Sequence, residues 1–311
     1  MEWLLGMEWL FGMEWWFGDE SRTLRIVTLG TALLGALSGS MGCFAVLRRQ
    51  SLLGDAVSHA ALPGIVLAYM LSGQREIGVL LLGAAVAGWL AVEAVRWIAR
   101  DRRIPFESAL AAVLAIFFGI GIALLTYAQR HYPGATQAGL ERFLFGQAST
   151  LLLRDVIGIA LVAGLSWAVV LLFWPPLHLL TFDPQAAELA LAGTAWLNRL
   201  LAVLLVTAVI IGLSSVGAVL MSALLIAPAV AARQWVHRLG PMLWLAGAFG
   251  ALAGVAGTLT SHLLSQPGRA VPTGPTIVLW ASAFVGGSLL LAPGRGLVWQ
   301  RSWKHTNSTP S

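Results

Sequence analysis

Residues 77–95 read IGVLLLGAAVAGWLAVEAV, an apolar run in which Glu93 is the only charged residue. An α-helix that crosses the hydrocarbon core of a bilayer needs about 20 consecutive apolar residues, so this run predicts a transmembrane helix. Runs of similar character occur on both sides of it, at 24–47, 52–72, 107–127, 155–175, 197–213, 216–232, 241–262 and 275–293. The sequence therefore predicts an all-α polytopic membrane protein with about nine transmembrane helices.

The composition excludes an ordinary soluble domain. Of the 311 residues, 58% are hydrophobic and only 11% are charged, with a mean hydropathy of +0.81, whereas about a quarter of the residues of a soluble domain are charged. The predicted helices leave no room for a sizeable soluble domain, so a catalytic module has to lie on a partner chain. The basic balance, with a pI near 10.3, is interpreted as membrane topology and not as a nucleic-acid site.

Three regions are predicted along the chain. Residues 1–23 form a low-complexity, tryptophan-rich extension that repeats a hexad as MEWLLG, MEWLFG and MEWWFG. Each hexad carries a glutamate, unlike the basic start of a secretory signal, so the extension is interpreted as an interfacial anchor or as a dispensable segment. Residues 24–295 are the predicted transmembrane domain, and residues 296–311 are a predicted cytoplasmic tail.

The distribution of arginine predicts the orientation of the helices. Loops on the cytoplasmic side of membrane proteins are enriched in lysine and arginine, and the segment 96–103 is the densest basic cluster between two apolar runs. This places the amino terminus outside and the 96–103 loop inside. Glu93 and Glu107 flank the cluster and are expected to pair with it.

Small residues recur at a spacing of four in several of the apolar runs. Gly35 and Gly39 are one example, and Gly250 and Gly254 are another. This spacing lets helix backbones approach closely within a membrane. It predicts a compact helical bundle.

Residues 47–64, LRRQSLLGDAVSHAALPG, carry the strongest chemical signal. Asp55 and His59 are four apart and share one face of a helix, and ionisable groups at membrane depth are costly and usually functional. A carboxylate with an imidazole suits Mn²⁺, Fe²⁺ or Zn²⁺, and a dimer would bring four such ligands together. The alternative is that Asp55 caps a helix that starts after Gly54, with His59 as a hydrogen-bonded core residue.

Motifs of several enzyme classes are missing from the sequence. The phosphate-binding loop of P-loop ATPases needs a lysine, and the only lysine is Lys304 in the tail. The H-E-x-x-H pattern of metalloproteases and the G-x-S-x-G pattern of serine hydrolases are also not found. The chain is therefore predicted not to be an enzyme.

Five stretches in order resemble the ABC-3 family, the permease subunits of bacterial ABC importers for manganese, zinc and iron. They are 47–64, 143–147 (FLFGQ), 181–190 (TFDPQAAELA), 216–233 (VGAVLMSALLIAPAVAAR) and 272–279 (PTGPTIVL). The resemblance implies the fold of the vitamin B12 importer type and a place in the bacterial cytoplasmic membrane. It implies that Asp55 and His59 line the translocation path and contact the metal, which is cargo and not a permanently bound cofactor.

The resemblance also implies partners. These are two cytoplasmic ABC ATPase subunits, a second permease that is identical or paralogous, and an extracytoplasmic metal-binding protein. The runner-up interpretation is a proton-coupled secondary metal transporter, in which Asp55 would be a proton site and no ATPase would bind.

The segment 182–193 is interpreted as the part that contacts the ATPase. Asp183 is a good N-cap and Pro184 suits the first helical position, which predicts a helix of about two turns on the inner side, too short to span. The alternative is an amphipathic connector on the membrane. The residues assigned to coupling are Phe182, Asp183, Pro184, Ala186, Ala187 and Ala190.

Overall fold

The computed structural model describes residues 21–73, 76–101, 103–132, 146, 148–190, 193–266 and 271–293. The hexad repeats, most of the stretch 143–147 and the carboxyl-terminal tail lie outside these residues. Within them, the helices are α1 (Ser21–Leu47), α2 (Leu53–Ser72), α3 (Ile77–Ile98), α4 (Phe106–His131), α5 (Leu153–Leu172), α6 (Trp174–Phe182), α7 (Pro184–Ala190), α8 (Ala195–Val216), α9 (Ala218–Trp235), α10 (Leu239–Leu264) and α11 (Thr273–Leu291). The predicted all-helical fold is confirmed.

Eight of these helices are long and apolar enough to cross a membrane, namely α1 to α5, α8, α10 and α11. The ninth predicted crossing, 216–232, corresponds to α9, whose apolar part, Leu220–Trp235, is shorter than the others. Helix α9 starts directly after Gly217, whose φ of 89° ends the preceding helix α8. The predicted crossing 155–175 also ends early, at Leu172, because a separate helix, α6, begins at Trp174 with two prolines directly after that residue.

Helices α1, α2 and α8 form the buried centre of the bundle, and α2 contacts α3, α4, α8 and α9. The outer helices carry many exposed large apolar side chains, as expected for surfaces that face lipid. Examples are Leu82, Leu161, Leu165, Trp244 and Leu279. The helix that carries Asp55 and His59 is thus surrounded by other helices over much of its length.

Helices α1 and α10 make a close contact through glycines at the predicted spacing of four. A methyl group added at Gly35 would lie 2.1 Å from the carbonyl oxygen of Gly250, and one added at Gly254 would lie 2.4 Å from that of Thr31. Nearby, the Thr31 and Thr258 hydroxyls are 3.0 Å apart and share a hydrogen bond. The predicted close approach of helix backbones is confirmed.

Replacing Gly35 by alanine is expected to destabilise the protein. The new methyl group would overlap backbone atoms of α10 and not a flexible side chain, and overpacking of this kind costs about 1–3 kcal/mol or more. We expect a lower thermal unfolding midpoint in detergent than for the wild type. Gly119→Ala on α4 is the matched control, because its methyl group would meet nothing within 4 Å. Equal midpoints for the two variants would contradict this packing.

At the predicted cytoplasmic end of α3, Glu93 pairs with Arg96. The Oε1 and Nη1 atoms of the two side chains are 3.1 Å apart, so the expected pairing of Glu93 with the basic cluster is confirmed. Glu107 lies exposed in the first turn of α4.

Candidate metal site and coupling segment

Asp55 and His59 are the two predicted metal ligands, and we call them the ligand pair. They lie in the first two turns of α2, near the middle of the bundle in height. Val57, between them on α2, packs beside Gly88 and Val206, which are close to the midpoints of α3 and α8. The ring of His59 contacts Phe118, near the midpoint of α4. The ligand pair therefore lies at the depth where ionisable side chains are most costly and most often functional.

The geometry of the ligand pair suits one shared metal ion. Nε2 of His59 lies 3.5 Å from Oδ1 of Asp55. Two ligands that bind one tetrahedral metal ion through bonds of about 2.1 Å are separated by about 3.4 Å. The two side chains need little rearrangement to bind the same cation.

The structure does not support the capping alternative for Asp55. Helix α2 begins at Leu53, and its N-cap position, Leu52, has no side-chain capping bond. Asp55 lies inside the first turn, where its charge is favoured by the helix dipole but satisfies no cap. Its carboxylate is free to act in another role.

His59 also differs from a hydrogen-bonded core residue. Its Nδ1 atom is buried and has no hydrogen-bond partner among the described residues. The imidazole is held instead by Phe118, with ring centroids 5.0 Å apart in an edge-to-face arrangement of 77°, a contact worth about 0.5–1.5 kcal/mol. Packing from α4 thus orients the imidazole with Nε2 towards Asp55, a role for Phe118 that its sequence position did not signal.

One side of the ligand pair is open. The Asp55 side chain is 41% exposed and that of His59 is 20% exposed, and no group of three or more His, Cys, Asp or Glu side chains that could hold a metal occurs in the part of the chain that the structure describes. Closed metal sites usually have four or more ligands. A metal ion bound by Asp55 and His59 would therefore need further ligands from water or from another molecule that faces this side of α2.

The segment 182–193, predicted to contact the ATPase and called here the coupling segment, contains a capped helix. The backbone N–H of Ala186 donates a 2.9 Å hydrogen bond to Oδ1 of Asp183, and Pro184 is the first residue of α7. The predicted N-cap is confirmed. The helix is described as far as Ala190, and Gly193 beyond it takes a φ of 92°, which glycine tolerates at little cost.

The two sides of α7 differ in burial. Ala187 is completely buried, in the same apolar cluster as Leu177 and Leu180, so it anchors α7 to the helical bundle. Leu189 is 91% exposed, and Phe182, the last residue of α6, is 46% exposed. The other assigned residues Asp183, Pro184 and Ala190 are exposed, and Ala186 is half-buried.

Comparisons with known proteins agree on one family. The model of the ABC 3 transport family matches residues 20–291. The chain is 44% identical over 278 residues to the zinc transport system membrane protein TroC of Treponema pallidum, covering 89% of this chain and 92% of that protein. It is 43% identical over 274 residues to the manganese transport system membrane protein MntC of Bacillus subtilis, covering 87% of this chain and 61% of that protein's length.

A solved structure shares the fold over nearly the full length. It is PsaBC from Streptococcus pneumoniae in complex with Fab, with a TM-score of 0.78 and 28% sequence identity. The match covers 97% of this chain and 99% of the other. The arrangement of helices around α2 is therefore shared with a known structure.

Proposed function

The chain belongs to the ABC 3 transport family, and we propose that it is the transmembrane permease subunit of a binding-protein-dependent importer for a divalent transition metal. It is a multi-pass protein of the bacterial inner membrane. In the proposed importer, ATP is hydrolysed by cytoplasmic partner subunits, and an external protein delivers the metal. The permease itself provides the path along which the metal crosses the membrane.

One observation carries this proposal: the ligand pair lies in the first two turns of a central helix, level with the midpoints of the neighbouring helices, and is open on one side. A charged carboxylate at this depth is costly unless it has a partner, and a passing cation is such a partner. A resident metal site would have its ligands closed around the ion. Two ligands on an open face instead suit a cation that binds and then leaves.

We assign the remaining ligands to a second permease, identical or paralogous, that faces the open side of α2. Two such helices would offer two carboxylates and two imidazoles, a set that accepts Mn²⁺, Fe²⁺ and Zn²⁺. The relatives are named for zinc and manganese, and these two ions are the proposed cargo to test first. Among the described residues His59 Nδ1 has no hydrogen-bond partner, and this favours release, because such a bond makes a bound imidazole a stronger ligand.

The coupling segment is the proposed contact with the ATPase. A leucine that is 91% exposed on the predicted cytoplasmic side, next to the half-exposed Phe182, offers an apolar surface that a partner can bury. We propose that Leu189, Phe182 and Ala190 enter a groove of the ATPase. Ala187 holds α7 to the permease, so that movement of the ATPase is passed on.

ATP, and not a proton gradient, is expected to drive metal uptake by this permease. Proteoliposomes that contain the permease with its ATPase are supplied with the metal-bound binding protein, and radiolabelled manganese or zinc is counted inside. We expect uptake with ATP and none with a non-hydrolysable analogue. A complex whose ATPase lacks its phosphate-binding lysine is the control. Uptake that needs only a pH gradient, without ATP, would favour the proton-coupled alternative and contradict the proposal.

A further inference from the structure

Asn198 joins three parts of the chain at the predicted cytoplasmic end of the bundle. Its side-chain Oδ1 accepts a hydrogen bond from Nη2 of Arg48, in the turn between α1 and α2. Its backbone carbonyl accepts another from Nη2 of Arg96, in the last turn of α3. Asn198 itself lies in the first turn of α8, where its side-chain amide also donates to the carbonyl of Thr194. We call Arg48, Arg96 and Asn198 the inner joint.

Arg48 depends on Asn198 as a hydrogen-bond acceptor more strongly than Arg96 depends on Asn198. Arg96 has Glu93 as a second partner, at 3.1 Å, whereas no carboxylate pairs with Arg48 within the part of the chain that the structure describes. Burial, with the nearby charge of Arg96, lowers the pKa of the Arg48 guanidinium. A guanidinium that is partly removed from water and loses its acceptor is strongly penalised. We therefore expect Arg48 to keep its hydrogen bond to Asn198, and to move with it, when α8 moves.

The turn that contains Arg48 is short and hydrogen-bonded at both ends. Gln50 donates its backbone N–H to the carbonyl of Ala45 at 2.8 Å, and its own carbonyl accepts from Leu53 at 3.0 Å. Arg49 takes a φ of 56°, the only positive value among the described residues other than glycine. A turn held in this way transmits a displacement to the start of α2 and does not absorb it. The ligand pair begins two residues further on.

We propose that Asn198 is the positioning residue through which movement of α7 reaches the ligand pair. The inference rests on the proposed role of α7 as the contact with the ATPase. In the sequence α8 begins five residues after the end of α7, and the proposal is that displacement of α7 by the ATPase moves the first turn of α8. The inner joint then carries this movement sideways to the turn before α2, and α2 carries it to Asp55. Leu53, at the start of α2, lines the same small pocket as the three residues of the inner joint.

The test compares Asn198→Ala with Asn198→Asp in the complete importer, reconstituted with its ATPase and binding protein. The readout is the ratio of metal ions transported to ATP molecules hydrolysed. A purely structural defect would lower transport and hydrolysis together and leave this ratio unchanged. Loss of one hydrogen bond to a charged group corresponds to a change of about tenfold or more, and we expect a fall of about that size in the ratio for Asn198→Ala. Asn198→Asp keeps an oxygen acceptor for Arg48 and is expected to restore the ratio.

Thr207→Ala is the matched control on the same helix. It removes a hydrogen bond to the carbonyl of Val203, inside α8, and leaves the inner joint intact, so the ratio should not change. An unchanged ratio in Asn198→Ala would overturn the inference. So would a parallel loss of transport, ATPase activity and folded protein in both Asn198 variants. If the wild-type complex shows no ATP-driven uptake, the proposed function itself fails, and that result is distinct from either outcome.

Discussion

Asp55→Asn is expected to abolish ATP-driven metal uptake while the importer still assembles. Asparagine keeps the shape of the side chain but loses the anionic oxygen that offsets the dehydration of a divalent cation. Loss of a supporting group around a metal typically costs about 10- to 100-fold in affinity or activity, and loss of a ligand should cost at least the upper end of that range. Stability should change little, because Asp55 caps no helix and the dipole contribution is about 0.3–1 kcal/mol.

His59→Ala is expected to have the same effect on uptake, and the double variant should lose little more. Two residues that bind one ion act as a unit, so their effects are not additive. Glu107→Gln is the matched control for Asp55, because Glu107 is also a carboxylate in the first turn of a helix but lies exposed and away from the ligand pair. Metal uptake at the wild-type rate in Asp55→Asn would contradict the assignment of Asp55 to the translocation path. Loss of folded protein in His59→Ala would instead favour a packing role.

Leu189→Asp is expected to uncouple the permease from its ATPase. Burying a leucine at an interface contributes about 1.5–3 kcal/mol, and a carboxylate in its place would have to be desolvated. We expect uptake and transport-stimulated ATPase activity to fall at least about tenfold, since 1.4 kcal/mol corresponds to a factor of ten. The permease alone should keep its unfolding midpoint, because Leu189 is 91% exposed in the chain.

Ala187→Arg separates the two sides of α7. Ala187 is completely buried within the permease, so arginine there should lower the unfolding midpoint even without the ATPase.

Ile104→Asp is the control for Leu189→Asp, because Ile104 is an exposed apolar residue in the loop between α3 and α4. If Leu189→Asp hydrolyses ATP and transports metal as the wild type does, the exposed side of α7 has no part in coupling.

Local patterns were sufficient for the features that depend on neighbouring residues. The cap of α7 follows from Asp183 and Pro184, and the capacity of α1 for a close backbone approach follows from glycines at a spacing of four, although that spacing does not tell which helix packs there. The Glu93–Arg96 pair follows from a spacing of three on one helix. Each of these is fixed by side chains within a turn or two, so periodicity and residue type determine them.

Features that depend on contacts between distant segments could not be predicted. Nothing in the segment 182–193 distinguishes the buried Ala187 from its neighbours, because the core it enters is formed by α6. The contact of Phe118 with His59 and the bonds of Asn198 to two arginines join helices far apart in sequence. The shorter apolar part of α9 and its start at Gly217 also depend on tertiary packing, since composition alone favoured a ninth full crossing.

Equilibrium binding of the metal to the purified permease–ATPase complex tests most directly whether the ligand pair binds the cargo. Manganese and zinc are each titrated into metal-free complex, and bound metal is counted for the wild type, the Asp55→Asn/His59→Ala double variant and the Glu107→Gln control. We expect the wild type and the control to bind the ion alike, and the double variant, equally well folded, not to bind it. Wild-type binding by the double variant would contradict the assignment of Asp55 and His59 as the metal ligands.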